Sequence, residues 1–268
     1  MKSSFLAIPF LCFLLHACNR PQSVRYVDSN FPDSIPKIFA PGVISLPDRL
    51  EQNLTVSKDG TEYYFGITDS QWDYTGILSA KIINDRIQLD TVVKYTDLQH
   101  CGEPYLSRDG ESLLLVGNYP FNIWECKRDG NKWSSPVKLD PPVNTDFIEV
   151  HPSMTENGTL YFASTRGGAS GKVGEGAIYS AVLTNGRYLE AKKLNGGINS
   201  GDAGDPAVSA DESFIVFGSF KADGYGETDL YISFRLADNT WSEPKNLGKN
   251  INTIAHEVGP FLSHDGKY

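Results

Sequence analysis

Five stretches of the chain repeat one short pattern: an apolar residue, Ser or Thr, any residue, Asp or Asn, and usually Gly. They are Val56-Ser57-Lys58-Asp59-Gly60, Leu106-Ser107-Arg108-Asp109-Gly110, Met154-Thr155-Glu156-Asn157-Gly158, Val208-Ser209-Ala210-Asp211-Glu212 and Leu262-Ser263-His264-Asp265-Gly266. Counted from one Ser or Thr to the next, the spacings are 50, 48, 54 and 54 residues. That period is too long for solenoid units of about 20–35 residues and suits a unit of four short strands.

Each copy is followed by an apolar, aromatic-rich run: Glu62-Tyr63-Tyr64-Phe65, Ser112-Leu113-Leu114-Leu115-Val116, Leu160-Tyr161-Phe162-Ala163 and Phe214-Ile215-Val216-Phe217. Asp-Gly or Asn-Gly between two such runs favours a tight reversal, because Gly tolerates positive φ. A Gly-rich loop then leads to a third strand, as in Ile178-Tyr179-Ser180-Ala181 and Leu230-Tyr231-Ile232-Ser233-Phe234. A fourth closes the unit, as in Trp133-Ser134-Ser135-Pro136-Val137-Lys138-Leu139 and Trp241-Ser242-Glu243-Pro244-Lys245-Asn246-Leu247. Composition agrees: 12% aromatics, 25 Gly, 15 Pro and only two Met fit short strands and turns better than a helical bundle. The fold class expected is all-β, with four-stranded sheets packed radially so that few edges stay open.

Ser107-Arg108-Asp109-Gly110, the Ser164-Thr165-Arg166-Gly167-Gly168 loop, Asp229-Leu230-Tyr231 and Trp241-Ser242-Glu243-Pro244 followed by Leu247-Gly248 resemble the TolB-type, WD-repeat-like β-propeller unit. The resemblance runs over residues 38–268, with repeats starting near 54, 103, 150, 205 and 258. It implies a β-propeller of five blades, with six left open, and a group of bacterial envelope lipoproteins that carry this domain alone. The last blade is incomplete: Asp265-Gly266-Lys267-Tyr268 reaches only the start of a second strand. Either residues from about Ile38 to Asn53 supply a strand that closes the ring, or the sequence is one piece of a longer chain, which is the expectation.

Residues 1–18 are of another kind. Met1-Lys2 is followed by an apolar run from Phe5 to Leu15, too short to span a bilayer but suited to the h-region of a signal peptide. Ala17-Cys18 fits a lipobox, which makes Cys18 the expected lipidated residue, with 19–37 as a tether. His16 departs from that motif, and ordinary secretion with Cys18 as an incidental thiol stays open. The expected place is the bacterial cell envelope, lipid-anchored at the outer membrane and facing the periplasm or exterior. Cys101 and Cys126 would remain in the mature chain and could pair in an oxidising envelope, although their spacing alone does not bring them together. A formal net charge of −9 without a basic cluster argues against nucleic acid.

Motifs for catalysis are scarce. No Gly-x-Ser-x-Gly elbow surrounds Ser170, no His-x-x-x-His or Cys-x-x-Cys marks zinc, and no cofactor motif occurs. Asp223, Glu227 and Asp229 lack EF-hand spacing. Asn144-Thr145, Asn199-Ser200 and Asn252-Thr253 recur between units and read as turn-formers. Arg166 reads as the partner of a carboxylate in its own blade. Acids recur just before each innermost strand: Glu103, Glu149, Asp202 and Asp205, and Glu257. Equivalent positions in a radial repeat should ring one mouth of the channel, so Glu103, Glu149, Asp205 and Glu257 are the candidate ligand-binding residues. The plainer reading is that each caps a loop or pairs with a neighbouring blade. The function expected is a non-catalytic binding or scaffold module for an envelope protein, peptide or glycan. The alternative is a glycan-active enzyme using two of these carboxylates as acid and base.

Overall fold

The computed structural model describes residues 24–25, 36–70, 75–93, 98, 100–168 and 175–264. Cys18, Ser170 and the last Asp-Gly turn lie outside the described residues. Four antiparallel four-stranded sheets stand as blades in a propeller-like ring, each strand pairing with its neighbours in chain order. From the inside outward, blade one holds Leu50–Val56, Glu62–Thr68, Thr75–Ile83 and Arg86–Val93, with the short strand Val24–Arg25 added at its outer edge. Blade two holds Gly102–Leu106, Ser112–Gly117, Asn122–Asp129 and Val137–Lys138. Blade three holds Glu149–Met154, Leu160–Ser164, Ala177–Ala181 and Lys192–Lys193, and blade four holds Asp202–Val208, Phe214–Phe220, Asp229–Phe234 and Lys245–Asn246. Residues 258–264 reach the inner position of a fifth unit but form no strand.

The repeated pattern folds as it does because its polar side chains satisfy the turn. In blade two the Ser107 hydroxyl donates to Asp109 Oδ1 at 2.6 Å, and the N–H groups of Glu111 and Ser112 donate to Asp109 and Ser107 at 3.0 and 2.8 Å. Ser57/Asp59 and Ser209/Asp211 make the same connections, while at Thr155/Asn157 the one N–H of Thr159 serves both side chains. These bonds favour the ionised carboxylate. The Ser and Thr hydroxyls beside Asp59 hold it below the usual carboxylate range. Gly60, Gly110 and Gly158 adopt φ of +72°, +77° and +83°, the conformation that makes Gly the common last member of the pattern. Glu212 takes the same place in blade four at φ +62°, and its carboxylate receives the Tyr161 hydroxyl of blade three.

Three of the four apolar clusters run between blades, and the fourth packs blade one against residues 39–44. Leu113 and Leu115 of blade two meet Tyr64 and Ile77 of blade one, and Phe162 of blade three meets Leu114 and Ile123 of blade two. Phe217 of blade four meets Tyr161 and Ile178 of blade three. Blades two and three thus bury both faces against their neighbours, which is why their second strands read as unbroken apolar runs. Cys101 and Cys126 are buried and form no disulfide with each other. Burial, with Cys126 nearby, pushes the Cys101 thiol up to about 12, so it stays protonated and unreactive.

The recurrent Asn residues do more than turn the chain. Asn144 accepts the Ile123 N–H at 2.8 Å and donates to the carbonyls of Ile123 and Leu139 at 2.8 and 2.7 Å. Asn199 binds Ile178 and Leu194 likewise, and Asn252 binds Leu230 in the same way. Each clamps the linker between blades to the third strand. Replacing Asn144 with Ala leaves the Ile123 N–H and the Leu139 carbonyl unmet, since the Ile123 carbonyl keeps the Leu139 N–H at 3.1 Å, at about 1–3 kcal/mol each when water cannot reach them. We expect Asn144→Ala to lower unfolding free energy by about 2–4 kcal/mol, read as a lower urea midpoint at unchanged slope, with Asn144→Asp intermediate.

Candidate functional site

At one mouth of the channel every innermost segment is interrupted at the same place. Asn53, Glu103, His151, Asp205 and Gly259 adopt φ of +49°, +49°, +54°, +50° and +61°. In the four sheets the pairing register slips there, between Gln52 and Thr55, Gly102 and Tyr105, Val150 and Ser153, and Gly204 and Ala207. These are bulges, which bend a strand and re-aim a side chain. Pro follows in four of the five (Pro104, Pro152, Pro206, Pro260); it has no N–H to lose from the ladder.

The bulge takes an N–H out of the ladder, and the preceding blade supplies its acceptor. Glu103 Oε2 accepts the His151 N–H at 2.8 Å, and Asp205 Oδ1 accepts the Gly259 N–H at 3.1 Å. His151 Nδ1 lies 3.3 Å from the Asp205 N–H, a contact open only to a neutral ring with Nδ1 unprotonated. The other nitrogen, Nε2, lies 3.4 Å from both Glu103 Oε1 and Asp205 Oδ1. A cation on the ring therefore sits between two carboxylates and gives up the weak Nδ1 contact in exchange.

Electrostatics favour that exchange. Burial alone would lower the His151 pKa, but Asp205 and then Glu103 outweigh it and raise it to about 9. Burial also opposes the Glu103 charge, yet the His151 charge and hydrogen bonds hold that carboxyl below its ordinary value. For Asp205 burial prevails, helped by Glu103, and its pKa rises despite His151. The space enclosed by Asn53, Glu103, His151, Asp205 and Gly259 is about 30 Å³, enough for a water or two and far below the roughly 300 Å³ of small-molecule pockets. Among the described residues no three His, Cys, Asp or Glu side chains converge as a metal site. Deeper in the channel Arg108 is buried and donates to the carbonyls of Met154 and Val208 at 3.0 and 2.9 Å.

The four acids expected to form one ring do not occupy equivalent positions. Glu103 and Asp205 stand in the ring, on either side of His151. Glu149 and Glu257 precede the bulge by two residues and turn to their own linkers. Glu149 is fully buried and accepts from Thr145 N–H and Oγ1, Ser164 and Arg166, and Glu257 accepts from Thr253 N–H and Oγ1 at 2.9 and 2.6 Å. Arg166 pairs with Glu149 at 3.0 Å and also donates to the carbonyls of Pro142 and Val143. Asp229 accepts the N–H groups of Tyr225 and Gly226 and the Asn246 amide. His151 belongs to the ring although its residue type differs. The signal for it was the shared dipeptide, since His151-Pro152 aligns with Glu103-Pro104, Asp205-Pro206 and Gly259-Pro260.

No family model matches the chain, and no curated protein matches it. Among solved structures it is similar to TolB from Acinetobacter baumannii, at 17% identity over 69% of this chain and 41% of that one, with a TM-score of 0.48. It is also similar to an α-L-arabinofuranosidase from Lactobacillus brevis, at 13% identity over 81% of each chain and a TM-score of 0.49. A puromycin-hydrolysing peptidase from Mycobacterium tuberculosis matches at 13% identity over 79% of this chain and 30% of that one, with a TM-score of 0.48. The chain spans less than half the length of that TolB, and likeness at these identities assigns no activity.

The raised His151 pKa carries a sign. The folded state binds the proton more tightly than the unfolded chain, so its contribution to stability is whole below about pH 6.5 and fades as pH rises through about 9. The contribution is at most about 3 kcal/mol. We expect unfolding free energy to fall between pH 6.5 and 9, and His151→Gln to flatten that fall, read by urea titration at each pH.

Proposed function

We propose that this chain is a non-catalytic binding or scaffold module of the bacterial cell envelope, lipid-anchored through Cys18, that engages an envelope protein, peptide or glycan. The observation that carries this reading is what Glu103 and Asp205 are occupied with. Each spends an oxygen on an N–H of the next blade and both face His151, in a space too small for a sugar ring. A partner would then meet the rim rather than the channel. Tyr119, Phe147 and Tyr225 are exposed on loops at this same end of the ring, and aromatic side chains are the usual anchors of protein and glycan contacts.

One observation favours a second reading, a glycan-active enzyme. The environment lowers the Glu103 pKa and raises that of Asp205, the divergence expected of a base and an acid. The two readings part on purified protein. Under the first, no glycan is turned over above the buffer rate, while Glu103→Gln and Asp205→Asn lower the melting temperature by several degrees. Turnover of a glycan that either substitution abolishes, in a protein still folded, would establish the second. The anchor has its own test: Cys18→Ser should move the chain from the membrane fraction to the soluble one, and retention in the membrane would remove that part of the proposal.

A further inference from the structure

We propose that the deep end of the channel, between Arg108 and Ser153, binds a single halide-sized anion. This site lies below the carboxylate mouth and does not depend on the function proposed above.

Arg108 is the variable residue of its Ser-x-Asp-Gly turn. Its counterparts Lys58 and Glu156 are exposed at that end of the ring and pair with each other at 3.5 Å. Arg108 instead turns inward and is only 5% exposed. Its Nε and Nη2 donate to the carbonyls of Met154 and Val208, the last residues of the inner strands of blades three and four. A guanidinium carries five N–H donors, so these two bonds leave others for a ligand. Carbonyls satisfy N–H groups but bring no countercharge. Among the described residues no carboxylate forms an ion pair with Arg108. Glu103 and Asp205 stand near the opposite ends of the inner strands, engaged by His151 and by the amides of the next blade. A buried charge without a counter-ion is costly.

Ser153 points to the same place independently. It sits two residues past its bulge residue, His151, where Thr55 and Tyr105 sit in blades one and two. Those two hydroxyls reach across to the next blade. Thr55 Oγ1 accepts the Leu106 N–H at 3.1 Å, and the Tyr105 hydroxyl donates to the Met154 carbonyl at 2.8 Å. Ser153 is just as deeply placed, at 4% exposure, and lines the same cavity as Arg108. Its Oγ has no hydrogen-bond partner among the described residues. A hydroxyl can donate as well as accept, so it can join the guanidinium on one anion.

Size then selects the ligand class. The cavity measures about 30 Å³, room for one or two water-sized particles. Phosphate, sulfate and carboxylates are too large for that space, whereas a halide is close to water in size. Water would satisfy the Ser153 hydroxyl but not the Arg108 charge.

The test melts the 268-residue chain at constant ionic strength, which keeps general screening fixed, while sodium gluconate is exchanged for sodium chloride. We expect the melting temperature to climb with the logarithm of chloride concentration above the dissociation constant, as mass action requires. Bromide should act alike, and gluconate, too large for the cavity, is the blank. Ser153→Ala should weaken chloride binding about tenfold, the loss of one hydrogen bond to a charge. In gluconate the same variant should melt no lower than the wild type, because the hydroxyl has no partner to lose. Arg108→Met should abolish the chloride effect, and should that variant fail to fold, Ser153→Ala decides. Crystals grown in bromide should show anomalous scattering between Arg108 and Ser153. Equal melting in chloride and gluconate, or a chloride effect that Ser153→Ala leaves whole, would overturn the proposal. So would a bromide peak without any effect in solution, which marks an adventitious ion only.

Discussion

A ring of sheets has to do something with the backbone N–H groups that its inner strands turn out of the ladder. Here the N–H groups of His151, Asp205 and Gly259 are met by side chains from the blade before, Glu103, a neutral His151 and Asp205 in turn. A donor left dry would cost about 1–3 kcal/mol. The identity of the mouth residues follows from that need. Glu103, His151 and Asp205 can all reach a neighbour's amide, although one is basic and two are acidic. Once in place they also set each other's charge, and the imidazole between two carboxylates is the result. The sheets, their spacing and the narrowness of the channel all rest on this clasp and on the apolar layers between blades.

Much of the fold was legible because the repeat is local chemistry. Ser-x-Asp-Gly specifies its turn through bonds that span five residues, and those bonds need nothing from the rest of the chain. The unbroken apolar runs reported sheets buried on both faces. The site was less legible. Reading for acids placed Glu149 and Glu257 with Glu103 and Asp205, because all four lie near an inner strand's start. A difference of two residues separates a side chain that enters the channel from one that closes its own linker. The bulge fixes that difference, and a bulge is a property of strand pairing that one strand's sequence does not carry alone.

The Asn clamps show the same limit from another side. A turn-former was a fair reading of Asn144 from local propensity. Its actual partners lie on a strand 21 residues earlier, and only the assembled blade brings them within reach. The dipeptides ending in Pro, by contrast, were a long-range feature written locally. They mark three of the four bulges, recur at Gly259-Pro260 and include His151, which charge-based reading passed over.

Arg108 has a bearing on how such a chain reaches its native state. Its acceptors, the carbonyls of Met154 and Val208, lie 46 and 100 residues further along. The guanidinium therefore leaves the synthesis machinery well before either acceptor exists and must stay hydrated until blades three and four arrive. Contacts so distant in sequence form late, after the loop-closure entropy has been met. The bonds of Arg108 thus need three blades in place at once, and they couple those blades to one another.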